Sequence, residues 1–293
     1  MRENELHAQL RALAAVPPGF RGIGDDCCTW TPGGETCLSI DTIVAGVHFA
    51  HDAKPQCVGR KAAAAALSDL AAMAARPIGA AVALSRPQGY DDLVLMQGIH
   101  AELERHGCLL LGGDTTTSDQ LVITVTVWGE ASGSRLLTRS GGMLGDILAV
   151  TGMLGGSLRD GRHLHPQPRF AAANWLAGRT EVHALMDLSD GLASDAPRLA
   201  AASQLGCVLL PSEVPVHPSV NQRGDAAKQA CCDGEDYELL LAVDARAWPT
   251  LQVEWPFEDL PLSRVGWLVD EQGCWVEDHR RALVPCEWSG YEH

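Results

Sequence analysis

The stretch CVGRKAAAAALSDLAAMAARP, Cys57–Pro77, constrains this chain more than any other. It is a long alanine–leucine run of high helix propensity, and proline stops helices, so it predicts a helix closed by Pro77. Asp69 interrupts the run. At helical spacing its neighbours are Ala65, Ala66, Ala72 and Met73, none of which can pair with a carboxylate. The face around it is apolar, so the acid points toward the protein, where an uncompensated carboxylate is costly. Its partner must come from elsewhere in the fold: a tertiary salt bridge, a cap on a neighbouring loop, or a metal ion.

The segments around this helix alternate in type. CLSIDTIVAGVHF (Cys37–Phe49) begins as a β-rich run, and DDLVLMQGIHAELERHG (Asp91–Gly107) predicts a second helix closed by Gly107. CLLLGGDTTT predicts a short buried strand running into a glycine turn, and LVITVTVWGE (Leu121–Glu130) alternates like a half-buried strand. The glycine- and serine-rich ASGSRLLTRSGGMLGD (Ala131–Asp146) marks a domain boundary, giving an N-terminal domain of residues 1–135 and a C-terminal domain of 136–293. Beyond it DILAVTG, VHALMDLSDG, EDYELLLAVD and SRVGWLVD read as strands, and LASDAPRLAAASQLG (Leu192–Gly206) as a helix ended by Gly206. SLRDGRHLHPQPR (Ser157–Arg169) reads as irregular, with its two histidines as polar loop groups. Interleaved strands and helices in both halves make the class α/β or α+β.

A chain of 293 residues suits two domains of ordinary size, and no apolar run reaches the ~18 residues of a membrane span. The start, MRENELHAQLRALAAVPPGF, reads as a short amphipathic helix, with Glu3 and Glu5 where a signal peptide places basic residues. The expectation is a cytoplasmic protein. The net charge of −15 disfavours nucleic acid as a partner. It also means that an anionic ligand would need a divalent cation shared between carboxylates and phosphates. Ten cysteines include no C-x-x-C pair, so reduced thiols are expected rather than a disulfide framework or a zinc site.

Asp69 has company. GIGDDC (Gly22–Cys27) sets Asp25 and Asp26 side by side, and Asp26, Asp41, Asp114, Asp187 and Asp190 all read as members of glycine- or serine-flanked turns beside apolar strands. Taken singly, each could serve a turn or an N-cap. Together with Asp69 they offer many carboxylate oxygens and few sulfur or imidazole partners, which suits Mg²⁺. There is no P-loop, because GMLGGS (Gly152–Ser157) lacks the Gly-Lys-Ser/Thr ending. With Lys54, Lys61 and Lys228 the only lysines, phosphate charge would be met by Mg²⁺, backbone N–H groups and arginine. Arg139, in LTRSGG, is the best-placed arginine.

The motifs GIGDDC, DTIVAGVHF, ALSDLAAMAARP, LLGGDTT, LTRSGG, MDLSDGLASD and DGEDYELL resemble, in order and context, thiamine-monophosphate kinase. That family is the kinase branch of a superfamily with aminoimidazole ribonucleotide synthetase and selenophosphate synthetase. The resemblance runs from about Gly22 to the closing EWSGYEH. It implies that Asp26, Asp41, Asp69, Asp114, Asp187 and Asp190 hold several Mg²⁺ ions with Ser39 assisting. Gly113, Asp114, Arg139 and Ser189 would contact ATP, and His48, Glu235 and Trp288 would line a thiamine monophosphate pocket. It further implies an N-terminal sheet domain that pairs with its twin in a homodimer, and a larger C-terminal α/β domain.

The implied reaction transfers the γ-phosphoryl of ATP to the phosphate of thiamine monophosphate. A phosphate monoester, with a second pKa near ~6, is already largely dianionic at neutral pH and needs no general base. It needs positioning and charge shielding, which Mg²⁺ held by carboxylates supplies. The cationic thiazolium suits Glu235 and the face of Trp288. Ile40 stands where many relatives carry threonine, and the region between Gly156 and Pro168 looks shortened. The start lacks the reactive cysteine of a selenophosphate synthetase, and the end lacks the cysteine tail of the hydrogenase-maturation branch. Aminoimidazole ribonucleotide synthetase, a turnover-dead nucleotide-binding dimer and a metal-dependent phosphohydrolase are the remaining alternatives.

Overall fold

The structure is a computed structural model, which describes residues 9–10, 12–14, 16–17, 20, 31–131, 135–220, 225–278 and 280–291. The GIGDDC motif, with Asp25 and Asp26, lies outside the described residues. The chain divides into two compact units: Met1–Leu70, Ala75–Gly133 and Leu164–Pro166 form one, and Ala71–Ala74, Ser134–His163 and Gln167–His293 the other.

The first unit carries a four-stranded sheet in the order β1-β4-β2-β3, with β1 Thr36–Val44, β2 Ala75–Arg86, β3 Leu109–Thr117 and β4 Val122–Ala131. β2 runs parallel to β3 and antiparallel to β4. Two helices belong with them, α1 Pro55–Ala72 and α2 Asp92–Arg105. They approach backbone to backbone: a Cβ on Gly59 would sit 2.1 Å from the Leu95 carbonyl oxygen, and one on Gly98 2.2 Å from that of Gln56. Asp91 caps α2 by accepting the Val94 N–H, and Gly107 takes the left-handed φ of 67° that turns the chain out of it.

The sheet's two faces differ. In register, Ile43, Ile123 and Leu84 form one buried row, and Asp41, Val125 and Val82 the next on the same face. The other face presents Leu38, Ile40 and Thr42 on β1 beside Thr126 and Thr124 on β4, with Leu38 68% and Ile40 61% exposed.

Two expectations fail here. Helix α1 ends at Ala72, where Ala74 adopts a left-handed φ of 53°, and Pro77 lies inside β2. Alanine-rich β2 has little intrinsic strand preference; pairing on both sides imposes it, and a register shift between Pro77 and Gly79 absorbs the missing proline N–H. Likewise β3 does not stop at its glycines but runs on to Thr117, paired with β2 throughout.

The second unit is a seven-stranded sheet in the order β11-β10-β7-β9-β5-β8-β6. Its strands are β5 Ile147–Thr151, β6 Val182–Leu188, β7 Gly206–Leu209, β8 Glu238–Val243, β9 Leu262–Val269, β10 Cys274–Glu277 and β11 Leu283–Pro285. Its helices are α3 Ser157–Asp160, α4 Phe170–Ala177, α5 Leu192–Ala202, α6 Ala226–Cys232 and α7 Trp248–Glu254. Alternation splits the strands between two cores. Leu148, Val150, Leu240 and Ala242 join the α5 and α6 residues on one side; Ile147, Ala149, Leu239 and Leu241 join those of α4 and α7 on the other. The interleaved α/β class is therefore observed. Helix α5 ends before Gly206, which instead opens β7; the left-handed turn falls at Gln204, φ 61°. The segment expected to be irregular contains α3 and a 3₁₀ turn at Arg162–Leu164. Among the described residues no helix is long and apolar enough to cross a membrane.

Candidate active site

In the first unit, Ser39 and Asp41 share the buried-side face of β1, two residues apart. The acid stranded on α1 finds its partner here: Ser39 Oγ donates to Asp69 Oδ2 at 2.5 Å. A short bond to a charged acceptor is a strong one. His48 lies in the turn after β1, its Nδ1 accepting the Val44 N–H at 3.1 Å, which leaves the neutral imidazole proton on Nε2. Fully buried Lys61 supports that turn by donating its Nζ to the His48 carbonyl at 2.9 Å. Gly113 and Asp114 lie within β3, and the register sets Asp114 beside Ala83 and Thr124, on the face of Thr42 rather than that of Asp41. A Cβ at Gly113 would stand 2.2 Å from the Val82 carbonyl oxygen, so glycine is required there.

In the second unit the candidates gather at the end of β6. Asp187 is its penultimate residue and is buried. The following turn, Ser189–Asp190–Gly191, is laced to the segment Asp233–Tyr237: Glu235 N–H donates to the Ser189 carbonyl at 2.7 Å, and Tyr237 N–H to that of Leu188 at 2.8 Å. Glu235 and Tyr237 hold left-handed φ values of 67° and 52°, costly for residues other than glycine. The C-terminal tail completes the patch. Tyr291 N–H donates to the Asp190 carbonyl at 2.9 Å, Gly290 N–H to Ser194 Oγ at 2.8 Å, and Trp288 packs on the α5–α6 core with Lys228 Nζ 5.9 Å from its ring centre. Arg139 is exposed in the loop that precedes β5, which is tied to β6 where Leu185 N–H donates to the Thr138 carbonyl.

Asp41, Asp114 and Asp187 are thus strand residues; the turn expected for them is found only at Asp190. The flanking glycines and serines misled, because pairing with neighbouring strands overrides their local turn preference. Asp190 itself is bonded by Arg198, which also reaches Asp195 at 2.8 Å. Asp195 is pushed up to about 6, first by burial and then by the Asp190 charge, with Arg198 opposing.

Sequence reasoning passed over Asp233 and Asp236. Gly155 N–H lies 3.0 and 2.9 Å from the two Asp236 oxygens, Gly156 N–H donates to Asp233 Oδ2 at 2.8 Å, and Ser157 Oγ donates to the Glu235 carbonyl at 2.8 Å. The glycine turn of GMLGGS thus spends its amide donors on carboxylates, which rules it out as a phosphate cradle in this arrangement. Burial is the main cause that pushes Asp236 up to about 8, against the Gly155 hydrogen bond and Arg162. The signal was in the sequence: a chain that spells DGED next to a strand must neutralise its inner acid.

Among the described residues no group of three or more His, Cys, Asp or Glu side chains is arranged to hold a metal ion. Magnesium does not demand one, since it commonly takes one or two carboxylates and completes its shell with waters and substrate phosphates. The hydroxyl and carboxylates at Ser39, Asp69 and Asp41 are hard oxygen donors of the kind it takes.

Residues 24–131 match the model of the AIR synthase related protein, N-terminal domain. Fold and match together define a member of that broad class. Within it, the thiamine-monophosphate kinase of Rhodopirellula baltica is 34% identical over 93% of this chain and 91% of its own. The crystal structure of thiamine-monophosphate kinase from Stenotrophomonas maltophilia K279a is 32% identical, with a TM-score of 0.83 over 94% of this chain and 97% of that one. AaThiL complexed with AMPPCP and TMP shares the fold at 24% identity, with a TM-score of 0.75 over 99% of both chains. The chain belongs to the thiamine-monophosphate kinase family.

Proposed function

We propose that this chain transfers the γ-phosphoryl group of ATP in line to the phosphate of thiamine monophosphate, yielding thiamine diphosphate and ADP. The observation that carries the reading is the lacing of the Ser189–Gly191 turn to Asp233–Tyr237, which fixes Asp187, Ser189, Asp190 and Glu235 at the end of one strand. Strain at Glu235 and Tyr237 is what a preorganised binding site would retain.

In this reading Ser39, Asp41 and Asp69, with Asp26, Asp114, Asp187 and Asp190, hold Mg²⁺ ions. Magnesium, when bound, shields the two polyphosphates from each other and neutralises developing charge. Gly113, Asp114, Arg139 and Ser189 contact ATP; Arg139 is exposed and so available to a phosphate. Asp190 has to exchange or share its Arg198 partner to ligate a metal. Glu235 and Trp288 receive the thiazolium cation, and His48 is a further contact for thiamine monophosphate. Residues 1–135 serve ATP, magnesium and dimerisation. The exposed Leu38 and Ile40, on the sheet face that also carries Thr42, Thr124 and Thr126, fit burial against a second copy in a homodimer. The enzyme works in the cytoplasm.

Chromatographic product analysis with ATP, Mg²⁺ and thiamine monophosphate tests the proposal, with Asp69→Asn and metal-free controls. Stoichiometric thiamine diphosphate and ADP, reduced by ~10²–10³ in the variant, is the expected result, that being the scale of one preorganised electrostatic group. ADP without thiamine diphosphate would make the chain a phosphohydrolase and overturn the proposal.

A further inference from the structure

Three cysteines line up across three neighbouring strands. Cys274 opens β10 and is the register partner of Cys207 on parallel β7. On the other side β10 pairs antiparallel with β11, through Trp275↔Pro285, Val276↔Val284 and Glu277↔Leu283. One step further along that register Cys286 faces Cys274, and its N–H donates to the Cys274 carbonyl at 2.8 Å. Directly opposed antiparallel residues of the hydrogen-bonded kind have Cα atoms about 5.5 Å apart. Disulfides favour about 5.5–6 Å.

All three belong to one side of the sheet: Cys207 is part of the α5–α6 core, and Cys274 and Cys286 pack against it. The Cys274 thiol meets the Trp275 carbonyl at 4.0 Å. Cys207 is buried, whereas Cys274 and Cys286 are both partly exposed, and β11 is the edge strand of its sheet.

We propose that Cys274 and Cys286 are a modification site, a cross-strand thiol pair that a low-molecular-weight disulfide such as oxidised glutathione converts to an intramolecular disulfide. Cys286 reacts first, lying partly exposed just beyond the edge strand β11. Its thiolate attacks one sulfur of the oxidant, forming a mixed disulfide and expelling one thiolate. Cys274 then attacks the Cys286 sulfur, forming the Cys274–Cys286 bond and expelling the second. The two protein thiols lose two electrons, the oxidant gains them, and the two protons end on the two released thiols.

The neighbouring Cys207 thiol pushes Cys274 up to about 12, and the neighbouring Cys274 together with burial pushes Cys286 up as well. Few thiolates at neutral pH make formation slow. The same property withholds from the reduced pair the thiolate stabilisation that makes a disulfide strongly oxidising, so the bond once formed resists reduction. It would clip the root of the tail that carries Trp288.

The test incubates the folded protein with excess oxidised glutathione at pH 8, blocks remaining thiols, and maps peptides by mass spectrometry. The expected result is a Cys274–Cys286 crosslinked peptide with Cys207 still alkylated, formed also by Cys207→Ser and lost in Cys286→Ser. The oxidised protein should melt at a higher temperature than the reduced one. Glutathione retained on Cys286, a bond to Cys207, Cys231 or Cys232, or a fully reduced pair would each overturn the proposal. The mass readout is independent of kinase activity, so it stands or falls apart from the proposed function.

Discussion

Replacing Asp236 with asparagine should stabilise the protein, and by more as pH rises. The side chain is 1% exposed and faces Gly155 N–H, with Arg162 a distant 4.0 Å away. Its carboxyl is pushed from 3.8 up to about 8, chiefly by burial, with Glu238 and Asp233 adding repulsion. The folded pKa lies above the unfolded one, so the native state carries the extra proton between those two values. This group's stabilisation is complete below the unfolded value and is lost as pH rises through about 8. At ~1.4 kcal/mol per pKa unit, a shift of about four units sets a ceiling of about 5–6 kcal/mol at pH 8. Asparagine imitates the protonated carboxyl and keeps an acceptor for Gly155; weakening that hydrogen bond returns ~1 kcal/mol. Asp236→Asn should therefore gain a few kcal/mol at pH 8 and almost nothing near pH 4. Urea unfolding of both proteins across that range reads the difference directly. A gain that does not change with pH, or a loss at pH 8, would refute the assignment of a buried, proton-holding Asp236.

Three further outcomes follow from the geometry. Gly98→Ala drives a Cβ into the Gln56 carbonyl and should lower unfolding stability by ~1–3 kcal/mol, measured by denaturant titration. Ile40→Lys puts a charge on the open face of the first sheet and should convert the proposed dimer to monomer in sedimentation equilibrium without changing its far-ultraviolet circular dichroism. Trp288→Ala removes one face of the proposed thiazolium site, costing ~1–2 kcal/mol and raising KM for thiamine monophosphate about tenfold, with KM for ATP unchanged in steady-state assays.

The elements that sequence reveals best are those whose local pattern and tertiary setting agree. Leu121–Glu130 alternates and is a half-buried strand; Asp91–Gly107 carries both its cap and its stop. Ala75–Arg86 was illegible because nothing in an alanine-rich run announces a central strand, and its pairing with both β3 and β4 comes from distant sequence. At the candidate site, the partner demanded by Asp69 was readable as a need, but its identity as Ser39 depends on how a helix lies over a strand 30 residues away. The role of Asp236 depends on a turn more than 80 residues earlier. Arg198, three residues after Asp195 on α5, was within reach of a helical-spacing argument; its grip on Asp190 was not.

In the proposed reading, the left-handed backbone at Glu235 sets function and robustness against each other. Glycine would adopt that φ at no steric cost and relieve ~1 kcal/mol of strain, yet it would delete the carboxylate proposed to receive the thiazolium. A population of variants selected for heat resistance alone would drift toward glycine there, and its survivors would be sturdier proteins that had forgotten their substrate.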